Sequence, residues 1–412
     1  MIWSIIHLAD ILLWLFTAGS VAYVVLFALA SGVKRKVERG KWREESGERT
    51  TFLVLFPAYA EDRVIVNSVE AFLRQDYPQE LYEVAVISDH MSADTNQRLA
   101  ALPITLLQPT FEKSSKAKAL QYAMKVQGAR SKEQGARGRE QGARDKEQGA
   151  RDKEQVVILD ADNVVAPDFL SRLDQACRQG YEVIQCHRTA KNDDNDIAVL
   201  DGVSEEINNT LFRRAHNNIG LSAALIGSGM CFSQEWFKDH VEQLSSAVED
   251  RELEVMLAIE NVYVRYEEDI RVMDEKVSSQ DVFQRQRLRW MTGQLQTLLL
   301  MLPHVPQALL QRNMNYIDKT VQQMLIPRSI LLVLLPLMAL LMTLLAPTWS
   351  LKWWAMLASF AIALYVAIPA QLRTRAIFGR LRKLPRLVWR MMQNIAHIDK
   401  NNTDFIHTTH TK

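Results

Sequence analysis

Charge of one sign is missing from this 412-residue chain: 49 Lys and Arg oppose 48 Asp and Glu, for a net charge of +1. That balance argues against nucleic acid as a partner held by global positive charge. Cysteine is scarce as well. Cys177, Cys186 and Cys231 stand far apart in sequence without a CxxC pair, so neither a disulfide framework nor a zinc site is expected, and the three read as reduced, buried small hydrophobes. His407 and His410 fall in a polar tail that reads as disordered rather than metal-binding. Ionisable side chains other than histidine and tyrosine are absent from three stretches, and that absence decides the class of protein. Residues 11–33, 329–351 and 353–372 contain no Asp, Glu, Lys or Arg, which makes a purely soluble protein a poor reading.

A membrane-spanning helix needs ~20 mostly apolar residues, and each run is long enough. The first lacks the basic start, short apolar core and small-residue cleavage site of a signal peptide, so it reads as an anchor. Lys34, Arg35, Lys36, Arg39, Lys41 and Arg43 follow the first run; Arg373, Arg375, Arg380, Arg382, Lys383, Arg386 and Arg390 follow the third; only Lys352 separates the second from the third. The positive-inside rule then predicts an integral protein of the cell (inner) membrane with its N-terminus outside, residues 34–328 in the cytoplasm and its C-terminus cytoplasmic. Asp10 is expected near the outer interface as a solvated carboxylate.

At ~150 residues per domain the length allows two to three units. Between the anchors, TFLVLF (51–56), EVAVIS (83–88), PITLLQ (103–108), VVILD (156–160) and EVIQC (182–186) alternate with helical patterns, as in an α/β domain with a mainly parallel sheet. Ligands of such sheets bind at the carboxyl ends of strands. There lie Glu61 and Asp62, Asp89, and Asp160 and Asp162. One stretch interrupts the pattern: QGARSKE, QGARGRE, QGARDKE and QGARDKE run consecutively from 127 to 154. Without large apolar residues this repeat cannot form a buried seam, and it reads as a solvated insertion that the loop can close at modest entropic cost.

The residues at the strand ends suggest chemistry. Asp160 and Asp162, one residue apart where a buried strand ends, offer hard oxygen ligands to a divalent cation that also binds phosphate. Asp89 could accept hydrogen bonds from a base or ribose, and Lys116 and Lys118 could pair with a diphosphate. Further on, Gln286, Arg289 and Trp290 in QRLRW fall at i, i+3 and i+4, on one helical face.

Together these motifs resemble the membrane-bound family 2 glycosyltransferases, the group of cellulose, chitin and hyaluronan synthases with a GT-A (nucleotide-diphospho-sugar transferase) domain. FPAYAED (56–62), ISDHMSAD (87–94), KAKAL (116–120), DAD (160–162), ED (249–250) and QRLRW (286–290) occur in the family's order. The resemblance implies nucleotide contacts from Pro57, Glu61, Asp89, Lys116 and Asp160, and a Mg2+ or Mn2+ ion on Asp160 and Asp162. It implies Asp250 as the general base, and a wall for acceptor and diphosphate from Gly227, Gly229, Glu249, Gln286, Arg289 and Trp290. Two departures stand out: His90 replaces a frequent second acid, and Val248 a frequent Thr before the acid pair.

The expected organisation is an anchor at 1–33, a cytoplasmic GT-A domain at 48–290 with the insertion at 127–154, an interfacial helix and connector at 291–328, two spans within 329–372, and a basic tail at 373–412. The expected activity is inverting transfer from a UDP-sugar to a hydroxyl of a growing polysaccharide or glycan at the inner membrane face, with the bilayer as a partner. Three spans give one chain little wall for a polymer channel, which a homo-oligomer or an export partner could extend. Two alternatives stand beside it: single-sugar transfer to a lipid acceptor, as in ceramide glucosyltransferase-like members, and a catalytically silent nucleotide-sugar-binding subunit.

Overall fold

The computed structural model describes residues 2–33, 49–140, 155–246, 248–276 and 280–381. The basic residues 34–43 and 382–390, half of the heptapeptide repeat and the histidine-bearing tail lie outside them. The chain divides into two compact units. One comprises the described residues from 49 to 191 together with 224–275; the other comprises the first helix, residues 192–223 and the described residues from 276 to 381.

The first unit is built on an eight-stranded sheet of β1 (Phe52–Tyr59), β2 (Tyr82–Asp89), β3 (Thr105–Leu107), β4 (Gln155–Ile158), β5 (Val164–Val165), β6 (Val183–Ala190), β7 (Met230–Ser233) and β8 (Val264–Asp274). Their order is β3-β2-β1-β4-β7-β6-β8-β5. β3, β2, β1 and β4 run parallel, as do β6 and β8, while β7 and β5 pair antiparallel with their neighbours. Of the apolar strands expected from sequence, β1, β2 and β4 are buried on both faces, while the edge strand β3 is only half-buried. Phe52 to Phe56 and Val156 to Leu159 are almost wholly inaccessible, packed with Phe72, Leu99, Phe169 and Leu173 of the covering helices. Pro57 sits in a central strand without cost because β4 pairs only with Phe52 to Leu55, so the missing N–H falls past that ladder. The second half of the sheet, from β7 to β5, is less evident from composition.

The three cysteines, far apart in sequence, end near one another. Burial raises the thiol pKa of Cys231 and Cys186 well above its ordinary value, and Cys177 adds to the shift of both. All three are free; Cys186 and Cys231 are buried, as expected, whereas Cys177 is half-buried.

The other unit holds three helices long and apolar enough to cross a membrane, Ile6–Ala30, Arg328–Leu345 and Pro347–Ala367. Val21, Val24 and Phe27 of the first, Leu331, Leu335 and Ala339 of the second, and Trp353, Met356 and Phe360 of the third form one core. Val203, Ile207, Leu211 and Ala215 join it, which is why residues 192–223 group with these helices rather than with the sheet. Two expectations are corrected here. The connection between the second and third runs is the turn at Ala346, and Pro347 opens the next helix with a φ suited to its first turn, so Lys352 lies inside that helix. Asp10 is buried rather than solvated: it forms an ion pair with Lys352 and accepts from the Trp353 indole at 2.7 Å. A carboxylate in an apolar span needs such a partner. Toward the other end of the first helix, Tyr23 donates to Asp318 Oδ1 at 2.7 Å, and His216 Nε2 lies 3.1 Å from Asp318 Oδ2.

Candidate active site

The carboxyl ends of β2, β1 and β4 lie side by side, and each delivers an acid to the rim. At β1 the chain turns through Ala60 (φ 52°), whose N–H donates to Asp89 O at 3.0 Å. Glu61 is buried behind it, and Asp62 Oδ1 accepts from Ser92 N at 2.8 Å. Burial works against the Asp62 charge, but the hydrogen bonds from Thr95 and Ser92 prevail and lower its pKa. At β2, Asp89 is buried and accepts from His90 Nδ1 at 2.6 Å. The histidine in place of a second acid thus orients the first one, and its ring packs 5.2 Å from that of Tyr59.

The densest cluster forms around Lys116, the first residue of the helix Lys116–Glu140. Its ammonium donates to Asp160 Oδ1, donates to Gly227 O at 2.6 Å, and stands 3.4 Å from Glu249 Oε1. Burial disfavours that charge, but Asp160, Glu249 and Asp250 outweigh it and raise the lysine pKa. Glu249 responds oppositely. Burial, reinforced by Asp250 and opposed by Lys116, pushes its carboxyl up to about 7. Asp250 follows in the first turn of the helix Glu249–Ile259, with Oδ1 accepting from Arg251 N at 2.8 Å. Lys118, the other candidate, bonds locally to Lys113 O at 2.6 Å.

Gly227 and Gly229 shape the floor. Both adopt positive φ, 72° and 64°. A Cβ on Gly227 would sit 3.5 Å from Asp250 Oδ2; one on Gly229 would sit 2.9 Å from Val272 Cγ2 and 3.3 Å from Cys186 Cβ, so only glycine fits there. The loop is pinned by Gln185, fully buried in β6, which accepts from Ile226 N at 3.0 Å and donates to Ser228 O at 2.9 Å. Sequence reasoning missed Gln185. A polar residue inside the apolar run EVIQC was the available signal, because a buried amide must satisfy both of its ends.

Asp162 differs from Asp160. The Asp160 side chain is 31% exposed. Asp162 is buried, with Oδ2 accepting from Glu275 N at 2.7 Å. The hard oxygens of this turn suit a divalent cation, and among the described residues no group of three or more His, Cys, Asp or Glu could hold an ion unaided. The donor set therefore fits an ion that completes its shell with a ligand's phosphate oxygens.

Gln286, Arg289 and Trp290 belong to the other unit, on the helix Gln280–Met301. Arg287 pairs with Asp201 and lies 4.6 Å from the centre of the Trp290 ring. The buried Oε1 of Gln286 has no hydrogen-bond partner among the described residues.

Comparison with known proteins gives two sequence families, "Glycosyl transferase family group 2" over residues 155–367 and "Glycosyl transferase family 2" over 53–241. No curated protein matches the chain. Among solved structures, the mannosyltransferase PcManGT from Pyrobaculum calidifontis, in complex with GDP-Man and Mn2+, is 15% identical with a TM-score of 0.54, covering 95% of this chain and 99% of that one. TarS (residues 1–349) of S. aureus is 12% identical with a TM-score of 0.41, over 87% of this chain and 94% of the other. Glucosyl-3-phosphoglycerate synthase of Mycobacterium tuberculosis is 17% identical with a TM-score of 0.39, over 65% and 86%. The sheet unit has the GT-A-like α/β fold, mostly parallel and curled.

Proposed function

This chain belongs to glycosyl transferase family group 2, and from that premise we propose that it is an inverting, metal-dependent transferase. In this reading a sugar passes from a UDP-sugar to a hydroxyl of a growing polysaccharide or glycan at the cytoplasmic membrane face. The observation that carries the reading is the convergence of Lys116, Asp160, Gly227, Glu249 and Asp250 at the carboxyl rim of the sheet, in a chain with three helices able to span a membrane.

Pro57, Glu61 and Asp89 form the nucleotide end of the rim, with Asp89 held by His90 to accept from base or ribose. Lys116 and Asp160 serve the diphosphate. A divalent cation, Mg2+ or Mn2+, held by Asp160 and Asp162, supplies charge neutralisation at the diphosphate when bound. Asp250, beside the Gly227 backbone, takes the proton from the acceptor hydroxyl as that oxygen attacks the anomeric carbon. An α-linked donor then gives a β-glycoside by single displacement. Gly227 and Gly229 let the acceptor approach the backbone, with Glu249 beside them; Gln286, Arg289 and Trp290, on the helix of the other unit, present an amide, a guanidinium and an indole suited to diphosphate and acceptor.

A lipid acceptor is the second reading, because the exposed Leu299, Leu300, Leu309 and Leu310 give the unit that carries Trp290 an apolar surface suited to lipid. Incubating membranes with a panel of UDP-sugars, and with GDP-mannose because a chain of the same fold binds it, tests both. Sizing the product and partitioning it into organic solvent separates a polymer from a glycolipid. Absence of nucleotide diphosphate release with every donor and acceptor would leave a silent sugar-nucleotide-binding subunit.

A further inference from the structure

The ammonium of Lys116 donates to Asp160 Oδ1 and to Gly227 O and stands 3.4 Å from Glu249 Oε1. Asp160 is also the more exposed acid of the DAD turn, because Asp162 is buried against Glu275 N. A divalent ion and Lys116 therefore need the same carboxylate. We infer that Lys116 is a built-in occupant of the cation position on Asp160, so that a divalent ion enters only together with a diphosphate that draws the ammonium away.

Three features support this. The lysine is held by anions: its ammonium pairs with Asp160 and stands 3.4 Å from Glu249 Oε1. It is a compact charge on a flexible four-carbon stem, able to move from a carboxylate to a phosphate without moving its helix. The protein ligands are too few for an ion alone, whereas a diphosphate brings both the missing oxygens and a better anion for Lys116. Gly227 belongs to the loop beside the proposed base, so withdrawal of Lys116 frees the Gly227 carbonyl and Glu249 on the acceptor side at the moment the donor binds. The inference rests on the proposed use of a divalent cation with a nucleotide diphosphate.

Mn2+ binding to the purified full-length protein in detergent, read by electron paramagnetic resonance of the free ion with and without saturating UDP, tests it without any turnover. Wild type should bind Mn2+ at least tenfold more tightly with UDP than without. Lys116→Gln, and Lys116→Met as a second uncharged variant, should bind Mn2+ without UDP at least tenfold more tightly than wild type does. Lys116→Arg keeps the charge and should stay at the wild-type level, while adding Asp160→Asn to Lys116→Gln should abolish the gain and so locate the ion. If both uncharged variants bind Mn2+ no better than wild type in the absence of UDP, while wild type still binds it with UDP, the gate is wrong and the cation reading stands. If wild type binds no Mn2+ with UDP or with GDP, the cation reading falls and the gate falls with it.

Discussion

At the scale of single residues, two neighbouring acids carry different burdens. Asp250 lies beside the loop backbone, and its replacement removes a proton acceptor while leaving the donor end of the rim untouched. Asp250→Asn should retain UDP affinity within a few-fold and lower turnover by two or more orders of magnitude, measured by calorimetry and by UDP release. Turnover close to wild type would end its assignment as the base. Glu249 is the buried one, with a carboxyl pushed from 4.5 up to about 7 by burial and by Asp250 against the pull of Lys116. An acid whose folded pKa is raised costs nothing below the unfolded value, and its cost grows as pH rises from the unfolded value to the folded one and is full above it. Glu249→Gln should therefore raise the melting temperature by a few degrees more at pH 8 than at pH 5. A gain that is equal at the two pH values, or larger at pH 5, would contradict the shift.

At the scale of elements, legibility followed burial pattern. β1, β2 and β4 are buried on both faces and read as continuous apolar runs, so their carboxyl ends, and with them Asp89, Asp160 and Asp162, could be placed from sequence. β8 was missed although Val264, Tyr266, Ile270 and Val272 are its buried positions. Their alternation keeps its phase but is interrupted at the exposed Glu268 and Asp269, where the ladder with β6 shifts register after Cys186, and a charged bulge inside the run hides the strand. β7 is four residues long and begins directly after Gly229, whose neighbourhood carries the turn signal of two glycines, so no separate strand pattern stands out there. The meeting of Lys116 with Gly227 and Glu249 joins residues more than 100 positions apart, and no local pattern announces such a contact. The repeat gives the prediction of this scale. Its first two copies continue the helix Lys116–Glu140, and Arg130 within them donates to Thr105 Oγ1 at 3.0 Å, so the first copy should be kept. Deleting residues 134–147 removes two whole heptads, 14 residues, and leaves the remaining two copies in phase with each other. Melting temperature and UDP release should be unchanged, because the removed copies carry no apolar residue larger than alanine. Loss of folded protein would make the repeat structural.

At the scale of the whole molecule, orientation in the membrane decides whether the rim can meet sugar nucleotides. Six basic residues follow the first apolar run and seven follow the third; both flanks are expected inside. The helices supply an argument independent of that count. Asp10, near the start of the first span, pairs with Lys352 and Trp353, near the start of the third. The amino ends of these two spans therefore lie on the same side, and the span between them must run the opposite way. With the basic flanks inside, Ser4 and the turn at Ala346 both fall outside, and the chain after Leu372 falls inside. A cysteine at Ser4 and another at Ala346 should be labelled by an impermeant thiol reagent in intact cells, while a reporter fused after Lys412 should read cytoplasmic. The pair can be tested in the same preparation: Asp10→Asn should lower the stability of the spans in detergent, and the exchange Asp10→Lys with Lys352→Asp should recover part of it, because a buried charge left without its partner costs more than a reversed pair. Protection of Ala346 together with labelling at Ser4 would mean that the second and third helices do not cross. The Asp10–Lys352 contact would then be a surface pair rather than one inside the membrane, and the cytoplasmic placement of Asp160 and Asp250 would lose its support.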